Sequence, residues 1–220
     1  YLTYNRWDFF SSSNELFFED VRPPYIIQNE SNIRGELGFP LKRHDKVTLG
    51  LAGAGSRDVY YQFGKISQAD EPDKTDFNAF VIQADYEKNS LNHKQYATDG
   101  VFRGLYGRYI TGTEKLIPGT TAVSQPASRE NHDYILFRGT FENYWPLGRK
   151  LVAGTRFDGV LSNKRNFSNY TSTLLAAPGF YPTPHSKALF IENFHANNFV
   201  AGGGRAIWRL NGDAHLRLEG

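Results

Sequence analysis

The sequence predicts an all-β fold: an antiparallel transmembrane β-barrel that is incomplete, with about ten strands of a larger barrel. Three observations point there. Apolar and polar residues alternate with a period of two, short turns alternate with long connections, and aromatic residues sit beside the short turns. The alternation is clearest over residues 31–55, where Ile33, Leu37 and Phe39 share one side with Gly35, and Arg34 and Glu36 share the other with Gly38. After the charged turn at 41–46, Val47, Leu49 and Leu51 oppose Thr48, Gly50 and Ala52. One side of this ribbon is wholly apolar. The other carries opposite charges and glycines, a poor lining for a dry core.

The remaining elements follow in order. Residues 1–10 and 16–21 read as strands around a turn at 11–14, and a Pro-containing loop at 22–31 leads into the hairpin. Residues 55–76 read as a polar loop. Phe80, Ile82, Ala84 and Tyr86 then oppose Val81, Gln83, Asp85 and Glu87 in the next strand. A turn at 88–99 precedes a strand at 101–111, and a loop rich in Thr, Gly, Pro and Ser covers 112–132. Ile135, Phe137, Gly139 and Phe141 face away from Leu136, Arg138, Thr140 and Glu142; past the turn at 146–149, Leu151, Ala153, Thr155 and Phe157 oppose Gly154, Arg156 and Asp158. A long connection at 162–197 leads to a strand at 199–210, a tight turn at 211–213 and a last strand. There Leu216 and Leu218 oppose Arg217 and Glu219.

Turns near 11–14, 41–46, 88–99, 145–149 and 211–213 would lie at one end of the sheet, with the long loops at the other. That asymmetry, with strands of roughly 9–11 residues, suits an outer-membrane barrel. Phe39, Tyr144 and Trp145 sit where an interfacial aromatic girdle belongs. A soluble barrel or sandwich gives the same alternation with the faces exchanged, so periodicity leaves both readings open.

Composition narrows the classes. The 220 residues suffice for one β-domain, and a net charge of +2 without a basic aromatic-rich run argues against nucleic acid. No stretch approaches the ~20 apolar residues of a membrane helix. Cys and Met are both absent; without an initiating Met, the chain reads as a processed product or an internal piece. Absent cysteines suit a bacterial envelope protein.

Residues 86–100, Tyr-Glu-Lys-Asn-Ser-Leu-Asn-His-Lys-Gln-Tyr-Ala-Thr-Asp-Gly, resemble the periplasmic turn of the bacterial surface antigen superfamily. That turn reads approximately as acidic-x-x-x-Asn…Pro-Thr-x-Gly, and Ala97 stands where Pro is frequent. Within the superfamily the chain is most similar to the C-terminal barrel of Bacteroidetes-type patatin-like phospholipases. The supporting stretches are residues 91–98, 142–144, 168–175, 182–187, 193–197 and 216–220. The resemblance implies a barrel of about sixteen strands, of which this chain supplies about the fourth to the thirteenth. It also implies that 162–197 is the long loop folded into the lumen. Phe194-His195-Ala196-Asn197 would be the counterpart of that loop's Val-Arg-Gly-Phe-like motif, with His195 in place of the Arg that normally pairs with the barrel wall.

Catalytic chemistry is not expected in these residues. A patatin hydrolase needs a Gly-x-Ser-x-Gly elbow and a partner Asp; Gly53-Ala54-Gly55-Ser56-Arg57 lacks the second glycine, so the hydrolase domain is expected upstream. Gly50 to Gly55 has no following helix and reads as small residues in a curved strand, and Gly202-Gly203-Gly204 as a kink or a close approach of the lumen loop. The six histidines show no ligand spacing among themselves, so neither metal nor cofactor is expected. The expected site is therefore a lumen lined by Arg34, Glu36, Arg138, Glu142, Arg156, Asp158, Arg217 and Glu219, with the 194–197 motif in its loop. The expected partners are outer-membrane lipid and the remaining strands and upstream domain of the parent chain. The function expected is to anchor or translocate that hydrolase. The alternatives are an assembly or secretion barrel without a hydrolase, and a soluble β-barrel binding protein.

Overall fold

The described residues form one antiparallel sheet of nine strands, in the order β1 to β9, each strand hydrogen-bonded to its neighbours in sequence. This computed structural model describes residues 1–10, 25–62, 66–67, 69–121, 126–210 and 214–220. The strands are β1 (Leu2–Phe10), β2 (Tyr25–Lys42), β3 (Asp45–Tyr60), β4 (Asp73–Asn89), β5 (Gly100–Ile117), β6 (Ser128–Pro146), β7 (Leu151–Ser162), β8 (Phe199–Arg209) and β9 (His215–Glu219). A short helix α1 (Tyr170–Leu175) and two 3₁₀ turns (Pro184–Ala188 and Glu192–Phe194) lie between β7 and β8. Among the described residues no strand pairs with the outer edge of β1 or β9, and the sheet is not closed.

Two expectations are corrected. β1 pairs directly with β2, with Phe10 opposite Tyr25, so the connection 11–24 starts and ends at the long-connection end. The strand expected at 16–21, and the turns at 11–14 and 211–213, lie outside the described residues. The loops expected at 22–31, 55–76 and 112–132 are much shorter than their composition implied. β2 starts at Tyr25, β3 runs to Tyr60, β5 to Ile117, and β6 begins at Ser128. Most of their outward positions there are polar: Asn29, Ser31, Arg57, Asp76, Asn78, Thr113, Lys115, Asn131 and Asp133, with Ile27, Val59 and Ile117 as exceptions. Alternation then no longer separates an apolar face from a polar one and the amphipathic signal fades, while the backbone ladder continues unbroken.

The register aligns the apolar side chains in rows. Leu37, Leu49, Ala84, Gly107, Phe137 and Leu161 are successive partners across β2–β7, and the next row holds Phe39, Val47, Tyr86, Leu105, Gly139 and Gly159. Most of the large members are solvent-exposed, among them Leu37 (68%), Leu49 (49%), Phe137 (59%) and Leu161 (67%). The opposite face holds the buried polar groups Asp58, Thr75, Gln83, Glu114, His132, Thr140 and Asp158. The usual arrangement of a water-soluble sheet is inverted.

The glycine run in β8 is not approached by the loop. Gly202 faces outward, and a Cβ there would meet the Phe157 ring at 2.9 Å, so its missing side chain lets that ring lie across the strand. Gly100 opens β5 with φ +97, a conformation suited to glycine, and an added Cβ would lie 2.2 Å from the Ser90 carbonyl oxygen.

Candidate functional site

The polar face of the sheet and the connection between β7 and β8 form the site. This connection reaches side chains on five strands. Gln28 of β2 donates to the Leu175 carbonyl (3.2 Å), Asn169 donates to the Tyr60 hydroxyl of β3 (2.6 Å), and the Ser168 amide donates to Glu114 of β5 (2.9 Å). Arg138 of β6 reaches the Gly179 carbonyl (3.4 Å), and Arg205 of β8 reaches that of Pro182 (3.5 Å). From β2 to β8 is six strand spacings of ~4.8 Å, so the connection lies across most of the width of the sheet. A cavity of about 710 Å³ remains between them, lined by residues that include Glu30, Tyr106, Arg108, Arg156 and Lys187.

Local chemistry shapes the connection before it docks. Asn169 caps α1 in a reciprocal box with Ser172, and Thr183 does the same for the first 3₁₀ turn with Ser186. Residues 194–197 pair back on 177–180: Gly179 bridges His195, the Phe180 amide donates to the Phe194 carbonyl (2.8 Å), and the Ala196 amide to that of Pro178 (3.2 Å). His195 thus stays within the connection, its Nδ1 3.2 Å from the Ala177 carbonyl oxygen and its ring 4.7 Å from Phe190. Burial lowers its pKa, partly offset by the Ala177 carbonyl. Phe194 packs edge-on against Phe180, and the Asn197 Oδ1 is buried without a partner. The cations bridging wall and loop belong to the wall, Arg138 and Arg205, and their acceptors are loop carbonyls.

The eight charged positions of the sequence reading lie on this face, and most form pairs. Arg34 meets Glu36 at 3.1 Å, and Gln83 donates to the same carboxylate. Arg138 grips the fully buried Asp158 through two nitrogens, Thr140 donates to it at 3.3 Å, and Arg156 lies 3.9 Å away. Glu142 is the register partner of Arg156 but bonds instead to Arg205 and Tyr144. Arg217 meets Glu219, which also lies 3.4 Å from Arg205. Arg205 was missed by sequence reasoning. It follows three glycines, which hide the alternation of β8.

The turn between β4 and β5 closes the face at the short-turn end. Asn92 Oδ1 accepts the Thr98 and Asp99 amides (3.0 and 3.2 Å), folding the turn so that Ala97 and Leu91 pack on Tyr144, Val152 and Ile207. Arg209 and Arg217 donate to the Thr98 and Ala97 carbonyls, each at 3.0 Å.

Sequence reasoning also missed a cluster at the opposite end. His132 Nε2 lies 2.8 Å from Glu114, both fully buried, and Glu130 brings a third ligand-type atom, all within 4.8 Å of one another. The relevant spacing pairs a histidine with carboxylates across β5 and β6, so a scan of histidine spacing alone passes over it. Nearby, Lys164 donates to the Ala176 carbonyl (2.9 Å) and lies over the Phe167 ring. Its burial pushes the pKa down to about 8, against the pull of Glu114 and Asp58.

No known protein family, curated protein or solved structure matches the chain.

Proposed function

We propose that the chain is part of an outer-membrane β-barrel that anchors, or carries across the membrane, an attached patatin-like phospholipase domain. One observation carries the membrane part: the apolar row of nearly every strand is exposed and stops abruptly. On β6, the outward positions from Ile135 to Trp145 carry no polar side chain except Asn143, and above them the outward positions are Arg129, Asn131 and Asp133. That run covers about 33 Å along the strand at ~3.3 Å per residue. A tilt of about 40° reduces it to about 25 Å, the height of the apolar band on such barrels. A water-soluble sheet would leave this row hidden under a second layer. The polar face, with its ion pairs and docked connection, supports a wet lumen closed by a loop. The stretches quoted above support the link to a hydrolase, and the free edges of β1 and β9 suit further strands of the parent chain.

Leu49→Arg tests the assignment of faces. On the outer row it should cost on the order of 2–4 kcal/mol in a bilayer, while Thr48→Arg on the inner face should cost under about 1 kcal/mol. Denaturant unfolding of the full chain in lipid measures both. Equal costs would contradict the proposal. For the attached domain, membranes bearing the full chain should cleave phospholipid esters, and deleting residues 1–220 should release that activity into the soluble fraction.

A further inference from the structure

The outer row immediately beyond the apolar belt, at the short-turn end, is unusually cationic. Lys42, Asp45, Lys88 and Arg103 are successive register partners across β2–β5. They continue the outward positions of Val47, Tyr86 and Leu105 by one step. Lys88 and Arg103 stand directly opposite each other, an arrangement of like charges that destabilises a sheet in water. Arg43, Arg149 and Lys150 add exposed cations in the adjoining turns. None of these six cations has a carboxylate within ion-pair distance among the described residues, whereas Lys46, which faces inward, has Glu87 at 2.8 Å. The other end is mixed: there the outward Arg57 is held by Asp76 at 2.6 Å and Arg6 by Asp8 at 3.0 Å, while Lys115 and Arg129, opposite each other, have no carboxylate within ion-pair distance among the described residues. Positive charge is densest at the short-turn rim, one step below Phe39, Val47, Tyr86 and Leu105.

We infer that this rim binds the phosphodiester headgroups of anionic phospholipids in the leaflet that the short turns reach. The inference rests on the membrane reading above. Long cationic side chains at the edge of an apolar belt lay their stems along it and hold their charge at headgroup height. A phosphate between Lys88 and Arg103 turns their mutual repulsion into two charge-assisted contacts. Free phosphate would gain only those contacts, while a lipid also places its acyl chains on the apolar rows above.

The test reconstitutes the full chain into nanodiscs of mixed zwitterionic and anionic phospholipid and measures the composition of retained lipid by native mass spectrometry. The wild type should retain anionic lipid at least about fivefold above its bulk fraction. Lys88→Gln with Arg103→Gln should lose most of that preference, and the exchange Lys88→Arg with Arg103→Lys should keep it. The wild-type preference should also fall as salt shortens the screening length, a reading independent of how any variant folds. Retention at the bulk ratio, or a preference unchanged by salt or by the glutamine pair, overturns the inference and leaves the membrane reading standing. Failure of the wild type to enter the bilayer overturns the membrane reading itself.

Discussion

Asp158 concentrates the electrostatics of the inner face in one carboxylate. It is fully buried, yet it accepts from Arg138 and Thr140 and has Arg156 within ion-pair distance. Removing it leaves at least one guanidinium facing a half-buried, uncompensated site. Asp158→Ala should therefore cost about 3 kcal/mol, the scale of breaking a buried pair. Denaturant unfolding of the reconstituted chain measures it, and a cost below about 1 kcal/mol, typical of an exposed pair, would contradict this placement. That Asp158 and Arg138 share a face was legible in the period-two pattern. Which charges meet was not. Glu142 sits opposite Arg156 in register but bonds to Arg205, because side-chain length and the small glycines of β8 decide reach, and neither leaves a mark on a binary pattern.

At the level of elements, the connection from Asn163 to Asn198 behaves as a docked unit, and Lys164 gives it a pH dependence of definite sign. With its pKa near 8 when docked and near the ordinary 10.5 when released, Lys164 binds more protons in the released state between those values. Docking should then strengthen as pH rises from about 8 to 10.5, and lose that gain below 8. Protease protection of residues 163–198 as a function of pH reads this directly. Lys164→Met should abolish the rise, and a rise that survives the substitution would assign it to another group. The inward fold of this connection entered the sequence reading only through family resemblance. Its anchors, such as Asn169 to Tyr60 and Ser168 to Glu114, are single polar residues distant in sequence with no repeat to reveal them. Strand ends were equally hidden: β5 and β6 run on past the apolar belt, where alternation no longer separates two faces.

At the scale of the whole molecule, one sheet with its apolar side outward and its polar side wrapped on a loop supports the membrane reading proposed above. The sequence alone left the two faces interchangeable between lipid and core. The exposure of Leu37, Phe137 and Leu161, with no second layer over them among the described residues, favours lipid. The most direct measurement is a scan of single spin labels along β6 from Asn131 to Phe141 in the reconstituted chain, read by collision with oxygen and with a water-soluble nickel chelate. Labels at Ile135, Phe137 and Phe141 should favour oxygen, as a bilayer interior does. Those at Leu136, Arg138 and Thr140 should not, although Leu136 is itself apolar. Labels at Asn131 and Asp133 should favour the nickel chelate despite facing outward. A scan in which both faces respond alike, or in which Leu136 joins the oxygen-rich set while Phe137 is shielded, would contradict the account.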